Sequence, residues 1–211
     1  MIDKRLEEYI EQHTTSEDEV LYELNRQTHL KAIKPRMLSG HIQGAFLKMV
    51  SQMIQPQRVL EIGTYTGYSA ICLAEGVCKG GKLITIEKDR EMEDFITHYI
   101  HKAGKQRVID LVIGDALKVV DELDGPFGLV FIDAEKKDYL TYYKKIKSKV
   151  KQGGYILADN ALWSGKVIEK DAMNDPESAG VVAFNNYVQN DKEVENVLLP
   201  LRDGIMMLRK S

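Results

Sequence analysis

Asp133 closes the apolar run Leu129-Val130-Phe131-Ile132, and Asp159 with Asn160 closes the run Tyr155-Ile156-Leu157-Ala158. If both runs are strands of one open α/β sheet, three oxygen-bearing side chains converge where such sheets bind ligands. Two carboxylates and an amide oxygen are hard ligands. They suit Mg²⁺ or a similar octahedral cation whose other positions are filled by waters or substrate oxygens. A lone Asp after a strand is more often a helix cap, so the inference rests on the set rather than on either residue. Lys136 follows Asp133 by three residues and is placed to act on an acidic oxygen as a general base, with Lys137 the competing candidate. An ordinary lysine pKa of about 10.4 is too high for that role, so the amine has to be lowered by the nearby cation and by desolvation.

A second constellation lies upstream, in Val59-Leu60-Glu61-Ile62-Gly63-Thr64-Tyr65-Thr66-Gly67-Tyr68-Ser69. An apolar strand runs into an acid, two glycines and a hydroxyl where a helix starts, at about Tyr68. Gly63 and Gly67 permit a sharp turn and close backbone approach to a ligand, and the helix start supplies unpaired N–H groups. The glycines are four apart, unlike the tighter cluster that seats a dinucleotide pyrophosphate. Glu61, read as lying inside the turn, repels a phosphate and suits a cationic amine. The next strand, Lys82 to Ile86, ends in Glu87, where an acid accepts both hydroxyls of a ribose. Together Glu61 and Glu87 point to an adenosine-type cofactor without a diphosphate, of which S-adenosylmethionine (AdoMet) carries the required amine. NAD is the nearest rival, and its glycine cluster is missing.

These groups need a scaffold, and the chain alternates strands and helices in the pattern of a parallel sheet covered on both faces. Strands are expected at Arg58 to Glu61, Lys82 to Ile86, Val108 to Ile113, Leu129 to Ile132 and Tyr155 to Ala158. Glu193 to Pro200 and Gly204 to Arg209 meet at Arg202-Asp203-Gly204, a turn that makes the last strand antiparallel. Helical stretches precede the sheet near Asp3 to His13, Ser16 to Leu30 and Leu38 to Ile54, and Ser16 with Glu19 resembles a capping box. At 211 residues and 44% hydrophobic the chain can bury one full core, read as a single domain over residues 1–211 with a helical extension over about 1–54. A net charge of −3 gives no general basic footprint for nucleic acid or membrane. The charged start Met1-Ile2-Asp3-Lys4-Arg5 lacks a signal-peptide core, and no apolar run is long enough to span a bilayer, so a cytoplasmic protein is expected. Cys72 and Cys78, read as lying on one helix, are poorly spaced for a disulfide and are expected to be small core residues.

Four blocks in this order carry a family resemblance: Met37-Leu38-Ser39-Gly40, the stretch from Glu61 to Ser69, Phe131-Ile132-Asp133-Ala134-Glu135-Lys136, and Asp159 through Val167. The chain resembles the class I AdoMet-dependent methyltransferases, and within them the metal-dependent O-methyltransferases of the catechol and caffeoyl-coenzyme A type. The resemblance runs from about Thr28 to Arg209. It implies a Rossmann-like, mostly parallel sheet with an antiparallel C-terminal strand and helices on both faces. It also implies a cofactor site made of Met37, Ser39, Gly40, Glu61, Gly63, Tyr65, Gly67, Ser69, Glu87, Asp115, Ala116 and Asp133. Metal ligation falls to Asp133, Asp159 and Asn160, and catalysis to Lys136 with Asp133. Gly114-Asp115-Ala116 taken alone is equally a turn and helix cap. Trp163 reads as a wall for an aromatic acceptor or as a buried structural residue, and the segment from Val167 to Glu177 as a loop that shapes the pocket. Glu135 and Ala161 depart from the family's usual aspartate and valine at positions that are not proposed ligands.

An unperturbed phenol, with a pKa of about 10, is mostly neutral at pH 7, and chelation of two adjacent hydroxyls by a cation ionises one of them. The expected acceptor is therefore a small phenolic molecule. A transfer-RNA 5-hydroxyuridine acceptor is the alternative, disfavoured by the acidic composition; Lys144, Lys145, Lys147, Lys149 and Lys151 are read as the solvated face of a helix. A noncatalytic AdoMet-binding protein is the third reading. Relatives commonly pair through the N-terminal extension, so a homodimer using Ile10, Leu21, Leu24 and Leu30 is expected.

Overall fold

The computed structural model describes residues 3–211. Three helices come first: α1 (Lys4–Gln12), α2 (Glu19–Lys31) and α3 (Gly40–Ile54). Strands and helices then alternate as β1 (Arg58–Ile62), α4 (Tyr68–Ala74), β2 (Lys82–Glu87), α5 (Glu93–Lys102), β3 (Ile109–Ile113), α6 (Ala116–Glu122), β4 (Phe127–Ile132), α7 (Tyr139–Lys147) and β5 (Val150–Ala158). The chain ends with α8 (Pro176–Asn190), β6 (Val194–Leu199) and β7 (Ile205–Lys210). The sheet has seven strands in the order β3-β2-β1-β4-β5-β7-β6. β7 pairs antiparallel with both β5 and β6, so it is the one reversed strand, as the turn at Arg202-Asp203-Gly204 led us to expect.

Strand residues alternate between two cores. Leu129 and Phe131 of β4 join Val59, Leu83 and Leu157 against α2 to α5. Val130 and Ile132 join Leu60, Ile62, Ile86 and Ile156 against α6, α7 and α8. All six residues of β4 are buried, as a central parallel strand requires. The sheet order reverses direction between β1 and β4, and the carboxyl ends of those strands form the crevice where ligands bind in this architecture.

Several local expectations change. Helix α2 starts at Glu19, not Ser16: Asp18 caps it by accepting from the Leu21 backbone N–H at 2.8 Å, because a carboxylate beside the first turn displaces the serine two residues earlier. Cys78 lies beyond the end of α4 and its thiol donates to Gln57, so only Cys72 belongs to the core. Leu21 and Leu24 are buried in the chain's own core beside Leu47 and Leu73, and therefore cannot face a second copy. Lys149 and Lys151 fall after α7, in β5 and the turn before it. Among the described residues no helix is long and apolar enough to cross a membrane.

Helix α3 reaches the sheet domain through α4. A Cβ on Gly44 would sit 2.5 Å from Tyr68 Cε1 and 2.9 Å from Cys72 Sγ, and both side chains are buried. Alanine in a helix interior gains about 1 kcal/mol over glycine, whereas overpacking a core costs roughly 1–3 kcal/mol. Gly44→Ala is therefore expected to lower the urea midpoint, and a raised midpoint would mean that the α3–α4 contact yields.

Candidate functional site

The site is built where β1, β2, β4 and β5 end. Gly63, with φ 99°, turns the chain after β1, and its N–H donates to Ile86 O at 3.0 Å. A Cβ at Gly63 would lie 2.0 Å from the Asp133 carbonyl oxygen, so no side chain fits between the two strand ends. Beyond it, Tyr65 (φ 53°) and Gly67 (φ 90°) also adopt the left-handed region, and Gly67 precedes the first turn of α4. The Tyr65 N–H donates to Glu87 Oε2 at 2.7 Å and the Asp89 N–H to Glu87 Oε1 at 2.8 Å. The Glu87 carboxylate is thus held at the end of β2 with acceptor capacity to spare, as a ribose diol needs.

Glu61 belongs to β1, as the expected strand Arg58 to Glu61 had it, but it lies fully buried below the turn rather than inside it. Its Oε2 accepts from Thr85 Oγ1 at 2.5 Å, while Oε1 has no partner. Burial pushes its carboxyl up to about 8, against the lowering effect of Ser69 and Thr85. Oε1 is shielded from solvent. The orphaned acceptor is nonetheless the kind of group that a cation would satisfy.

The remaining cofactor candidates surround this turn. The Tyr65 hydroxyl donates to Lys34 O at 2.9 Å, which draws the Lys34–Leu38 segment toward it. Ser39 is buried ahead of α3, Gly40 has φ 71°, and Met37 is exposed. Ser69 is buried in the first turn of α4. Asp115 caps α6, accepting from the Leu117 N–H at 3.0 Å, and Ala116 is buried behind it. The cap and the expected adenine contact are compatible, since only one carboxylate oxygen is engaged in the cap.

At the next strand ends, Asp133 N–H donates to Ile62 O and Asp159 N–H to Ile132 O, at 2.8 and 2.9 Å. These bonds continue the parallel ladders β1–β4 and β4–β5 one step past the strands and set the two acids side by side. Burial and the neighbouring Asp133 push Asp159 up to about 6, against the hydrogen bonds from Gln43 and the Asn160 backbone. Asn160 has φ 54°, and its Nδ2 donates to Asp203 Oδ2 at 3.2 Å. That bond leaves the amide oxygen as an open acceptor. Two mutually repelling carboxylates beside an open amide oxygen make a donor set that fits a hard divalent cation.

Lys136 and Lys137 separate clearly. Lys137 is exposed and lies 3.6 Å from Glu135, whereas Lys136 is buried with Nζ 2.9 Å from Asp133 Oδ1. Burial alone would lower the Lys136 amine, but the Asp133 and Asp159 carboxylates and the Asp133 hydrogen bond outweigh it and hold the amine above the ordinary lysine range. Desolvation acts in the expected direction, and the Asp133 partner overrides it. Lys136 Nζ also lies 5.4 Å from the Tyr139 ring and 5.8 Å from that of Trp163. Trp163 is partly buried, with Lys166 on its ring at 5.7 Å and its indole N–H buried without a partner.

Four supporting residues escaped the sequence reading. Gln43 donates to Asp159 Oδ2 at 2.7 Å, Asp203 holds Asn160 and the Ser164 N–H, Arg202 donates to Gln43, and Glu177 accepts from the Lys136 N–H at 2.8 Å. Gln43 offered one signal, an amide inside the apolar stretch of α3; the others are visible only once the chain is folded. Two open clefts, of 510 and 540 Å³, lie elsewhere, against α2 and against α8. Neither gathers the groups that the strand ends do.

The sequence matches the O-methyltransferase family profile over residues 11–211. Caffeoyl-CoA O-methyltransferase 1 of Zea mays is 34% identical over 185 residues, spanning 82% of this chain and 72% of that protein. The flavonoid 3',5'-methyltransferase of Vitis vinifera is 31% identical over 179 residues, spanning 80% and 76%. Among solved structures, the O-methyltransferase TomG from Streptomyces achromogenes, in complex with SAM, gives a TM-score of 0.92 at 27% identity with 100% of both chains covered. The O-methyltransferase from Bacillus cereus, in complex with SAH, gives 0.91 at 26% identity, covering 98% of this chain and 97% of that one.

Glu61 makes stability depend on pH. Its folded value, about 8, exceeds the ordinary 4.5, so between those values the folded chain binds more protons than the unfolded one. Its contribution is therefore fully present below about pH 4.5 and is lost as pH rises through about 8. The melting temperature of the unliganded protein is expected to fall across that window, with a shallower fall for Glu61→Gln. Parallel pH profiles for the two proteins would contradict this.

Proposed function

The chain belongs to the O-methyltransferase family and is an AdoMet-dependent enzyme, and we propose that its acceptor is a vicinal aromatic diol of the catechol or caffeoyl type held at a divalent cation. The observation that carries this reading is the set Asp133, Asp159 and Asn160 at adjacent strand ends, with Lys136 beside it and the Gly63 turn in contact with Asp133. The relatives' names support the acceptor class, since a caffeoyl group carries two neighbouring ring hydroxyls. AdoMet supplies a methyl group on a sulfonium, an electrophile that needs in-line approach, so much of the protein's work is alignment.

In this reading Glu87, fixed by two backbone N–H groups, accepts the ribose hydroxyls, and Glu61 Oε1 takes the amine. Gly63, Tyr65, Gly67 and Ser69 line the turn, Met37, Ser39 and Gly40 cover the methionine end, and Asp115 with Ala116 meets the adenine. Asp133, Asp159 and Asn160 hold the cation, with Mg²⁺ the best match to their oxygens. When bound, a divalent cation acidifies the hydroxyl that it chelates and makes it a nucleophile near neutral pH. Lys136 stands beside Asp133 to take the acceptor proton once its ion pair is relaxed, and Trp163 walls the aromatic ring.

The RNA alternative draws little support from the lysine cluster. Lys145 pairs with Asp121, Lys147 with Asp191 and Glu193, and Lys149 donates to the carbonyls of Val120, Asp121 and Leu123. Most of that charge is therefore spent inside the chain. Pairing with a second copy through the N-terminal helices remains part of the proposal, with Tyr22, Leu30, Met49 and Met53 as its exposed apolar side chains.

Transfer of a labelled methyl group from AdoMet should be detected on catechols, be lost in excess EDTA, and be abolished by Asn160→Ala with AdoMet binding retained. Full activity in chelator, or activity confined to undermodified transfer RNA, would overturn the proposed acceptor chemistry. Lys136→Met keeps the stem and removes the amine. It should lower turnover by about 10²–10⁴-fold, the usual share of general acid–base catalysis, and turnover close to the parent's would leave Lys136 only a structural partner of Asp133.

A further inference from the structure

Gln43 is the one long polar side chain on the buried face of α3, and it lies 1% exposed. Both ends of its amide are engaged. Nε2 donates to Asp159 Oδ2 at 2.7 Å, and Oε1 accepts from Arg202 Nη1 at 3.0 Å. The orientation is dictated by chemistry. A guanidinium only donates, so the amide oxygen must face Arg202, which leaves the NH₂ group to face the carboxylate. The reversed amide would set its oxygen against Asp159 Oδ2 and its N–H groups against the guanidinium.

Asp159 is thereby gripped from two sides, since its Oδ1 accepts the Asn160 N–H at 2.7 Å. One donor on each oxygen fixes the rotation of the carboxyl and leaves further lone pairs for a ligand. Arg202 is itself anchored, because Nη1 also donates to Leu38 O at 3.0 Å. The same hairpin turn braces the next residues through Asp203, which accepts from the Asn160 side chain, and through Gly204 O, which accepts from the Ala161 N–H.

We propose that Gln43, oriented by Arg202, is a positioning residue that presents the Asp159 carboxylate to the divalent cation and so sets the affinity of that site. This rests on the cation-binding reading given above. Gln43 and Arg202 touch neither the acceptor nor the methyl group in this account; they act through Asp159. Groups that orient metal ligands in this way typically change metal affinity by about 10–100-fold when removed.

The test is Mn²⁺ titration by calorimetry on the full chain, with AdoMet affinity and the melting temperature measured on the same samples. Gln43→Leu keeps the bulk and removes both amide contacts. It should weaken Mn²⁺ binding by about 10–100-fold and leave AdoMet affinity unchanged. Arg202→Met, at an exposed position, should weaken Mn²⁺ in the same direction but less, and Arg202→Lys, which retains a donor, should recover most of the loss. Asp159→Ala is the control that removes the ligand itself. If Asp159→Ala loses Mn²⁺ while Gln43→Leu, or Arg202→Met where the former fails to fold, binds like the parent, the positioning role is overturned. If the parent does not bind Mn²⁺, or Asp159→Ala binds it equally well, the cation reading itself falls.

Discussion

The contact between Gly63 and the Asp133 carbonyl is the constraint on which the rest of the site depends. Strands β1 and β4 run parallel with Ile62 opposite Ile132, and the ladder continues through Asp133 N–H to Ile62 O. A side chain at Gly63 would occupy the space of that carbonyl, so the two strand ends could not stay in register. Because glycine stands there with positive φ, the proposed cofactor turn is in backbone contact with the first proposed metal ligand. The proposed cofactor turn and the proposed cation ligands therefore stand at neighbouring strand ends, one strand spacing of about 4.8 Å apart.

Electrostatics follow from that crowding. Burial deprives Asp159 of water and Asp133 lies close enough to oppose its ionisation, so its carboxyl is pushed up. The chain answers with Lys136 against Asp133 and with Gln43 and the Asn160 N–H against Asp159. A buried ion pair of this kind adds little net stability, since desolvation offsets the attraction. What the pair does is hold the Asp133 carboxylate and the Lys136 amine in a fixed mutual position at the strand end.

Support for these acids comes from distant parts of the chain. The extension before the sheet is built into the core through α2 and α3, and α3 contributes Gln43. The β6–β7 turn contributes Arg202 and Asp203, which hold Gln43, the Leu38 carbonyl and Asn160. The loop after β5 carries Asn160, Trp163 and Ser164 at positive φ, conformations that cost non-glycine residues energy and persist where surroundings enforce them. Here the enforcing contacts are the Asp203 side chain and the carbonyls of Asp203 and Gly204.

Much of this was legible in the residues themselves. Apolar runs of strand length marked the parallel strands β1 to β5 to within a few residues, and Arg202-Asp203-Gly204 announced the reversed strand, but the strand order came only with the fold. Spacing and residue type singled out Glu61, Glu87, Asp133, Asp159 and Asn160 because each follows or ends an apolar run, a property local to the chain. Folding decided what depends on neighbours remote in sequence: that Glu61 lies beneath its turn rather than in it, that Lys136 rather than Lys137 faces Asp133, and that Leu21 and Leu24 belong to the core. It also decided that the Lys136 amine is raised rather than lowered, beside a carboxylate 2.9 Å away. The contact from Gln43 to Asp159 spans 116 residues and that from Arg202 to Gln43 spans 159. Local pattern encodes where a strand ends and which side chain stands there, whereas burial, pairing and charge state depend on distances that exist only after α3, β5 and the β6–β7 turn have packed together.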